Sequence, residues 1–287
     1  MNAPNHPYRP LLSHEARPAT YPVTAIDENG ATREIAIAGE HPLTLYVDRQ
    51  EIVTMMTLGA APEALAIGYL RNQRLLHSIE DVMSVQVDWE VNAVAVTTRN
   101  GLPDLQARIS KRTQTTGCGQ GTVFGDLMDE IDSIQLPADA VLEQSTLYAL
   151  LERVRLHETI YKQSGAVHGC ALATNGAGTS EILMFVEDVG RHNAVDAIAG
   201  QMWLDRIDGG DKIFYTTGRL TSEMVIKAAQ MGIPFLVSRS GLTQMGYEIA
   251  QKIGLTMIGR ATNKRFLLFT GGQRFQGNPG GDDRTAL

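Results

Sequence analysis

The sequence predicts an α/β protein: a layered domain with a partly parallel sheet, preceded by a smaller α+β unit. Two observations carry this reading. Beyond residue 137, short apolar runs and helix-like stretches take turns along the chain, as they do where helices connect the strands of one sheet. Before residue 113, strand-like alternation dominates and one helical stretch interrupts it.

Residues 1–20 are rich in Pro, Ala, Asn and His, lack apolar periodicity and read as a mobile arm. Residues 21–112 read as the small α+β domain. There Arg33 to Ile37 and Leu43 to Val47 alternate as half-buried strands do. Pro62 to Leu70 has helical apolar spacing, with Pro62 in the first turn, where its missing N–H would be unpaired anyway. Val82 to Val87 and Val91 to Thr97 form a strand pair linked by Asp88, Trp89 and Glu90. Residues 113–137 contain a polar, glycine-rich run and read as a functional loop or linker.

Residues 138–271 read as the second domain. A helix is expected from Gln144 to Lys162, then apolar runs at Ala171 to Ala173 and Ile182 to Val186, and a helix over Ala194 to Ala199. Ile213 to Tyr215 is a short strand, Glu223 to Gln230 a helix and Pro234 to Val237 a buried strand. A helix over Tyr247 to Ile253 and strands at Thr256 to Ile258 and Phe266 to Phe269 complete the pattern. Residues 272–287 read as a flexible tail.

With 43% hydrophobic and 20% charged residues, the chain has the balance of a globular protein, so the body is not disordered. The formal net charge of -7 argues against a nucleic-acid binder, although a local basic patch could hold a phosphate. Two cysteines, Cys118 and Cys170, exclude a four-cysteine zinc site and suit a reducing compartment. No secretory signal and no bilayer-length apolar run stand in the sequence, so a cytoplasmic protein without a membrane anchor is expected.

Six places are candidates for chemistry. Cys118 is flanked by Gly117, Gly119 and Gly121 and by Thr115, Thr116 and Thr122. A thiol in such a segment can relay a persulfide, because its thiolate can reach a donor's outer sulfur; it can equally be an inert loop cysteine. Cys170 leads into an apolar run and reads as a small core hydrophobe. The cluster from Glu187 to Asp196 follows an apolar run, where open α/β sheets place ligands, and includes Gly190, Arg191 and His192. It could also be a helix cap started by Asp188 or Asn193. Thr216 to Glu223, with Gly218 and Arg219, and Ser238 to Thr243, with Arg239, repeat that placement and suit an anion at a helix N-terminus, or plain capping. Arg260 to Arg265 puts three cations between two apolar runs, a hairpin turn or a phosphate clamp. No P-loop and no dinucleotide fingerprint are present.

The string from Phe185 to Asp196 resembles the hallmark segment of the FdhD/NarQ family. Thr217 to Met224, Gly232 to Ser240 and Ser164 to His168 are similar to three further blocks of that family, in the same order, and the resemblance runs from about Ala38 to Thr270. It implies a cytidine deaminase-like C-terminal domain over residues 138–271. It also implies a sulfurtransferase that takes persulfide sulfur from a cysteine desulfurase. The sulfur goes to the molybdenum cofactor in its bis-molybdopterin guanine dinucleotide form, and the cofactor to formate dehydrogenase. A homodimer is implied as well. The family's persulfide cysteine falls on Cys118, and its cofactor-binding stretch on Arg260, Ala261, Thr262, Asn263, Lys264 and Arg265. With Gly190, Arg191, His192, Gly218, Arg219, Ser238 and Arg239, these are the expected cofactor contacts. Many members carry a second loop cysteine where this chain has Gly121, which leaves a non-catalytic, cofactor-binding chaperone as the alternative. A zinc deaminase is not expected: His168-Gly169-Cys170 lacks the glutamate, no C-x-x-C exists, and so no catalytic metal is anticipated.

Overall fold

The computed structural model describes residues 8–102, 131–157 and 159–277. The chain divides into two compact units, and both are discontinuous in sequence. Unit 1 takes Met1–Glu130, Glu158–Cys170 and Val186–Ile207; unit 2 takes Ile131–His157, Ala171–Phe185 and Asp208–Leu287.

Unit 1 is built on strands β1 (Leu11–Leu12), β4 (His41–Val47), β5 (Gln50–Thr57), β6 (Val82–Asp88) and β7 (Ala93–Thr98), in the order β1-β6-β7-β4-β5. The hairpins β4–β5 and β6–β7 are antiparallel, and β4 joins β7 in parallel. Strands β2 (Thr20–Ile26) and β3 (Thr32–Ala38) form a separate two-stranded ribbon. Helix α1 (Pro62–Asn72) starts on Pro62, as its sequence predicts. Every residue of α1 except Arg71 is buried, so it has no polar stripe of the kind a surface helix carries.

Helix α1 packs on a helix far away in sequence, Arg191–Leu204. That contact decides unit membership. A Cβ on Gly68 would lie 1.6 Å from the Asp196 carbonyl oxygen, and one on Gly200 would lie 1.9 Å from that of Ala64. The two backbones therefore touch, and only glycine fits at either position. Asn72 Nδ2 donates to Asp196 Oδ1 at 2.7 Å, and Arg71 Nη1 to the Ala199 carbonyl at 2.7 Å. A simple division at residues 112–138 thus misses that 186–207 belongs with the first unit.

Two terminal segments also differ from their sequence reading. Residues 8–17 are seated rather than a free arm: the Tyr8 hydroxyl donates to the Val82 carbonyl, β1 pairs with β6, and buried Glu63 accepts from Ser13 Oγ and the Glu15 N–H. Residues 272–276 are likewise ordered, with a 3-10 turn at Gly272–Arg274 and strand β15 (Phe275–Gln276). The buried Arg274 guanidinium holds this stretch to the Gly254 and Pro137 carbonyls.

Unit 2 centres on a six-stranded sheet ordered β10-β9-β11-β12-β13-β14. The strands are β9 (His168–Thr174), β10 (Ile182–Asp188), β11 (Lys212–Thr216), β12 (Phe235–Ser238), β13 (Thr256–Thr262) and β14 (Arg265–Thr270). Residues 168–170 and 186–188 of the first two are counted with unit 1. Strands β11, β12 and β13 run parallel, and β14 returns antiparallel, so the expected partly parallel sheet is present. A short pair joins β8 (Leu142–Glu143) to β15. Helix α2 (Gln144–Leu156) buries Thr146, Leu147, Leu150 and Leu151, the i, i+1, i+4, i+5 spacing of one face. Its leucines pack on Ala171, Ile213, Tyr215, Phe235 and Val237.

The helix expected from Gln144 to Lys162 is two. α2 ends at Leu156, His157 is extended, and α3 (Ile160–Ser164) starts afresh in unit 1. Thr159 caps it by accepting the Lys162 N–H, while the Glu187 carboxylate accepts those of Ile160 and Tyr161. These local acceptors offer the backbone an alternative to continuing the helix. The remaining helices are α4 (Arg191–Leu204, the partner of α1), α5 (Ser222–Gln230) and α6 (Gln244–Lys252). No helix of the described residues is long and apolar enough to cross a membrane.

Candidate functional site

In unit 2 the parallel strands bring three separate stretches of sequence to one edge of the sheet. Thr216 ends β11 directly opposite Ser238, which ends β12, and Val237 lies opposite Ile258 of β13. The loops that follow are tied together. Ser238 Oγ, wholly buried, donates to the Gly218 carbonyl at 2.6 Å and accepts the Ser240 N–H at 2.9 Å. The Gly218 N–H donates to Thr216 Oγ1 at 3.1 Å. Leu220 N–H reaches the Gly241 carbonyl, Thr243 N–H the Leu220 carbonyl, and Arg260 N–H the Ser240 carbonyl, each at 2.9 to 3.1 Å. The main chain of this edge is thus held from three directions.

Each loop then sends one arginine outward. Arg219, Arg239 and Arg260 are all exposed, while the residues that fasten the loops are buried. Arg260 sits at an irregularity of β13, with φ 51°, which turns it out of strand alternation. Helices α5 and α6 begin directly after two of these loops. The N-cap of α6, Thr243, accepts the Gly246 N–H, whereas Thr221, the N-cap of α5, makes no such bond. Two helix starts and three exposed arginines suit this edge to anions, and to a phosphoryl group above all.

The stretch from Arg260 to Arg265 divides in two. Ala261 packs into the core at 1% exposure and is not available to a ligand. Thr262 pairs with Arg265 across a tight turn of Asn263, at φ 54°, and Lys264; all four are exposed. The stretch is therefore a hairpin whose basic tip presents Lys264 and Arg265, with Arg260 set back at the sheet edge.

In unit 1 the polar cluster after β10 turns inward. Gly190 is the N-cap of α4, and Arg191 and His192 stand in its first turn at 7% and 2% exposure. Asp188 accepts four donors: Thr57 Oγ1 at 2.5 Å, Asn193 Nδ2 at 2.8 Å, and the Leu58 and Gly190 N–H groups at 3.1 Å each. Burial nonetheless pushes its carboxyl above the usual aspartate range, and the four donors pull the other way. Asn193 also donates to the Met56 carbonyl at 2.6 Å. Most of what looked like a reactive cluster is hydrogen-bonded inside the unit. Cys170 is wholly buried in β9, its Sγ 4.0 Å from the Arg191 carbonyl oxygen, as expected of a core cysteine. Cys118 lies outside the described residues. Among the described residues no three His, Cys, Asp or Glu side chains converge as a metal site would require.

Sequence reasoning singled out these loops and their arginines but missed that the Thr216 and Ser238 hydroxyls fasten the edge. A signal was there: a hydroxyl on the last residue of an apolar run, two before a glycine or serine, is the pattern of a side-chain turn.

Fold and site together define an α/β protein whose sheet edge presents three exposed arginines. The FdhD/NarQ family profile matches residues 38–276, and the chain belongs to that family. It is 30% identical over 242 residues to the sulfur carrier protein FdhD of Wolinella succinogenes, covering 84% of this chain and 82% of that protein. Against the sulfur carrier protein FdhD of Halalkalibacterium halodurans it is 28% identical over 250 residues, covering 86% and 91%. A crystal structure described as a formate dehydrogenase accessory protein from Desulfotalea psychrophila superposes with a TM-score of 0.69 at 26% identity. That match covers 89% of this chain and 98% of the other.

Proposed function

We propose that this chain carries sulfur, as a persulfide on Cys118, from a cysteine desulfurase to the molybdenum cofactor in its bis-molybdopterin guanine dinucleotide form, and delivers that cofactor to formate dehydrogenase. The observation that carries the reading is the sheet edge of unit 2, where Arg219, Arg239 and Arg260 face outward from loops locked to one another. The cargo has two pyrophosphates, and a main chain already held in place to carry the guanidinium groups favours such groups, because less order is lost on binding. Lys264 and Arg265 at the hairpin tip would add charge to the same side of the reading. A cytidine deaminase-like C-terminal domain over residues 138–271, a homodimer and a cytoplasmic setting belong to this proposal as well.

In the sulfur step the Cys118 thiolate attacks the outer sulfur of the desulfurase persulfide. The donor's S–S bond breaks, its cysteine leaves as a thiolate, and Cys118 holds the sulfur as a new persulfide. Gly121 stands where many relatives have a second cysteine, so no disulfide within that segment can discharge the sulfur. The same residue supports a second reading, a chaperone that binds the cofactor without moving sulfur.

Mass spectrometry after incubation with a desulfurase and cysteine tests the first reading against the second. Wild type and Cys170→Ala should gain one sulfur that dithiothreitol removes, and Cys118→Ala should gain none. Formate dehydrogenase matured alongside Cys118→Ala should be inactive. Sulfur on Cys118→Ala, or an active dehydrogenase beside it, replaces sulfur transfer with the chaperone reading.

A further inference from the structure

Residues 8–17 lie on unit 1 as an extended stretch, and Ser13 is its pin. The Ser13 N–H donates to the Val85 carbonyl at 3.1 Å; its hydroxyl donates to Glu63 Oε1 at 2.7 Å and accepts the Val87 N–H at 3.0 Å. Glu63 is 8% exposed, and the donors that reach its carboxylate among the described residues, Ser13 Oγ and the Glu15 N–H, both come from this stretch. A buried carboxylate stripped of its donors is costly, so Glu63 holds residues 13–15 in place.

The outer end is held differently. Strand β1 pairs only Leu11 and Leu12 with β6, and Leu11 is exposed. Arg9 pairs with Asp205 at 3.4 Å and Arg206 donates to the Tyr8 carbonyl at 3.0 Å, both at the surface. Surface contacts of this kind are weak and screened by salt. The stretch therefore has a firm inner half and a loose outer half.

The inner half ends on a turn that holds the start of α4. The Arg17 N–H donates to the Gly59 carbonyl at 2.9 Å. A Cβ on Gly59, whose φ is 73°, would stand 2.9 Å from the Trp89 ring and 3.1 Å from Arg17 Cβ, so glycine alone lets the two pieces of main chain meet. The Gly59 N–H in turn donates to Thr57 Oγ1 at 3.1 Å. The Thr57 hydroxyl and the Leu58 N–H both donate to Asp188, the carboxylate that fixes Gly190 and Asn193. An unbroken series of hydrogen bonds thus runs from Arg17 to the loop 188–193, all within unit 1.

We infer that residues 8–17 are a strap whose seating on Glu63 sets the turn 57–59 and, through it, the Asp188 loop that starts α4. Release begins at the outer end, and unseating Ser13 loosens the loop. The strap stands apart from the proposed function: it needs neither the sulfur step nor the sheet edge of unit 2.

Amide hydrogen exchange on the full chain tests this. In Ser13→Ala the Val87 N–H loses its acceptor and should exchange faster in any case. Leu58 and Gly190 should exchange at least about fivefold faster as well, while Val94, buried in the central strand β7, keeps its wild-type rate. Ser13→Thr keeps the hydroxyl and should restore all of these rates. If Leu58 and Gly190 keep their wild-type rates in Ser13→Ala, the stretch is local packing and the inference fails. It fails equally if they quicken only in step with Val94, because the whole unit has then been destabilised. Should Ser13→Ala not fold, Glu63→Gln takes its place. It offers a weaker, neutral acceptor of the same shape, and the same two amides should quicken by about threefold with Val94 unchanged; unchanged rates overturn the inference. Arg9→Ala should free the outer end alone, leaving Leu58 and Gly190 within about twofold of wild type. An acceleration there as large as in Ser13→Ala would put the hold at Arg9 and overturn the role of Glu63.

Discussion

In unit 1, β5 and β10 end on Thr57 and Asp188; in unit 2, β11 and β12 end on Thr216 and Ser238. At all four ends the side-chain oxygen accepts the N–H two residues on. The turn is the same, but its surroundings differ. In unit 1 the turns close on each other: the Thr57 hydroxyl donates to Asp188, and Asn193 bridges that carboxylate to the Met56 carbonyl. In unit 2 the hydroxyl of Ser238 closes on backbone, the Gly218 carbonyl, and the loops' arginines, Arg219 three residues after Thr216 and Arg239 one after Ser238, are exposed. A polar run after a strand therefore says that a turn is being built. Whether its charges are free for a ligand depends on how many donors and acceptors the neighbours already supply.

The comparison can be broken most severely by removing what seats α4. Gly68→Ala or Gly200→Ala would drive a methyl into a backbone carbonyl, which no side-chain rotation can relieve. Each should lose about 3 kcal/mol or more in urea unfolding. Both helices must then move apart, and the Asp188–Asn193 knot at the start of α4 should loosen, with faster amide exchange at Leu58 and Gly190. Losses under about 1 kcal/mol would mean that α1 and α4 have room that the close contact denies.

This seat explains where the sequence was readable and where it was not. Buried runs such as Phe235 to Val237 announce themselves, because a strand covered on both faces has no polar alternation. Pro62 and the spacing behind it mark α1 for the same local reason. The pairing of Gly68 with Gly200 has no local signature: the two lie far apart in sequence and neither shapes its own helix, so the membership of α4 in unit 1 could not be seen. The terminal segments were missed because polar contacts and very short strands hold them. Glu63 holds Ser13 and Glu15, and Arg274 holds the Gly254 and Pro137 carbonyls; neither leaves an apolar period to read. At the sheet edge the cations were legible as a class. The unequal standing of the candidate contacts, with Ala261 in the core and Arg191 buried in the other unit, came only from the fold.

Asp188 gives the next effect in size. Asp188→Ala strands four donors, two of them backbone amides, and should cost about 2–3 kcal/mol. Asp188→Asn should also destabilise, because its amide must face at least one N–H that cannot turn away. The sign of the pH dependence follows from the raised carboxyl. With a folded pKa above the unfolded one, the native state holds the extra proton between the two values, so this group's contribution to stability is greatest at low pH. It falls as pH rises from the unfolded pKa through the folded pKa and is flat beyond. Urea midpoints from pH 4 to 8 should therefore show wild type losing ground to Asp188→Asn as pH rises through that window, then running parallel to it. A gap that widens in favour of wild type across the window would mean that the four donors outweigh burial.

The smallest effect on stability should come from the sheet edge, and that smallness is what sharpens the contrast. Arg219 and Arg260 are exposed and form no described ion pair, so Arg219→Gln and Arg260→Gln together should shift stability by less than about 0.5 kcal/mol. Binding should respond in the opposite proportion. Two charge-assisted contacts to phosphoryl oxygens, at about 1.5–3 kcal/mol each before any coupling, imply that GDP affinity drops by at least about tenfold. Calorimetric titration of GDP beside urea melts of the same samples reads both quantities at once. If the double variant keeps its GDP affinity, the edge does not hold the nucleotide, and the outward arginines are only a solvated rim. If it loses stability by more than about 1 kcal/mol, these cations fasten the loops as Ser238 does, and the two units use their turns alike.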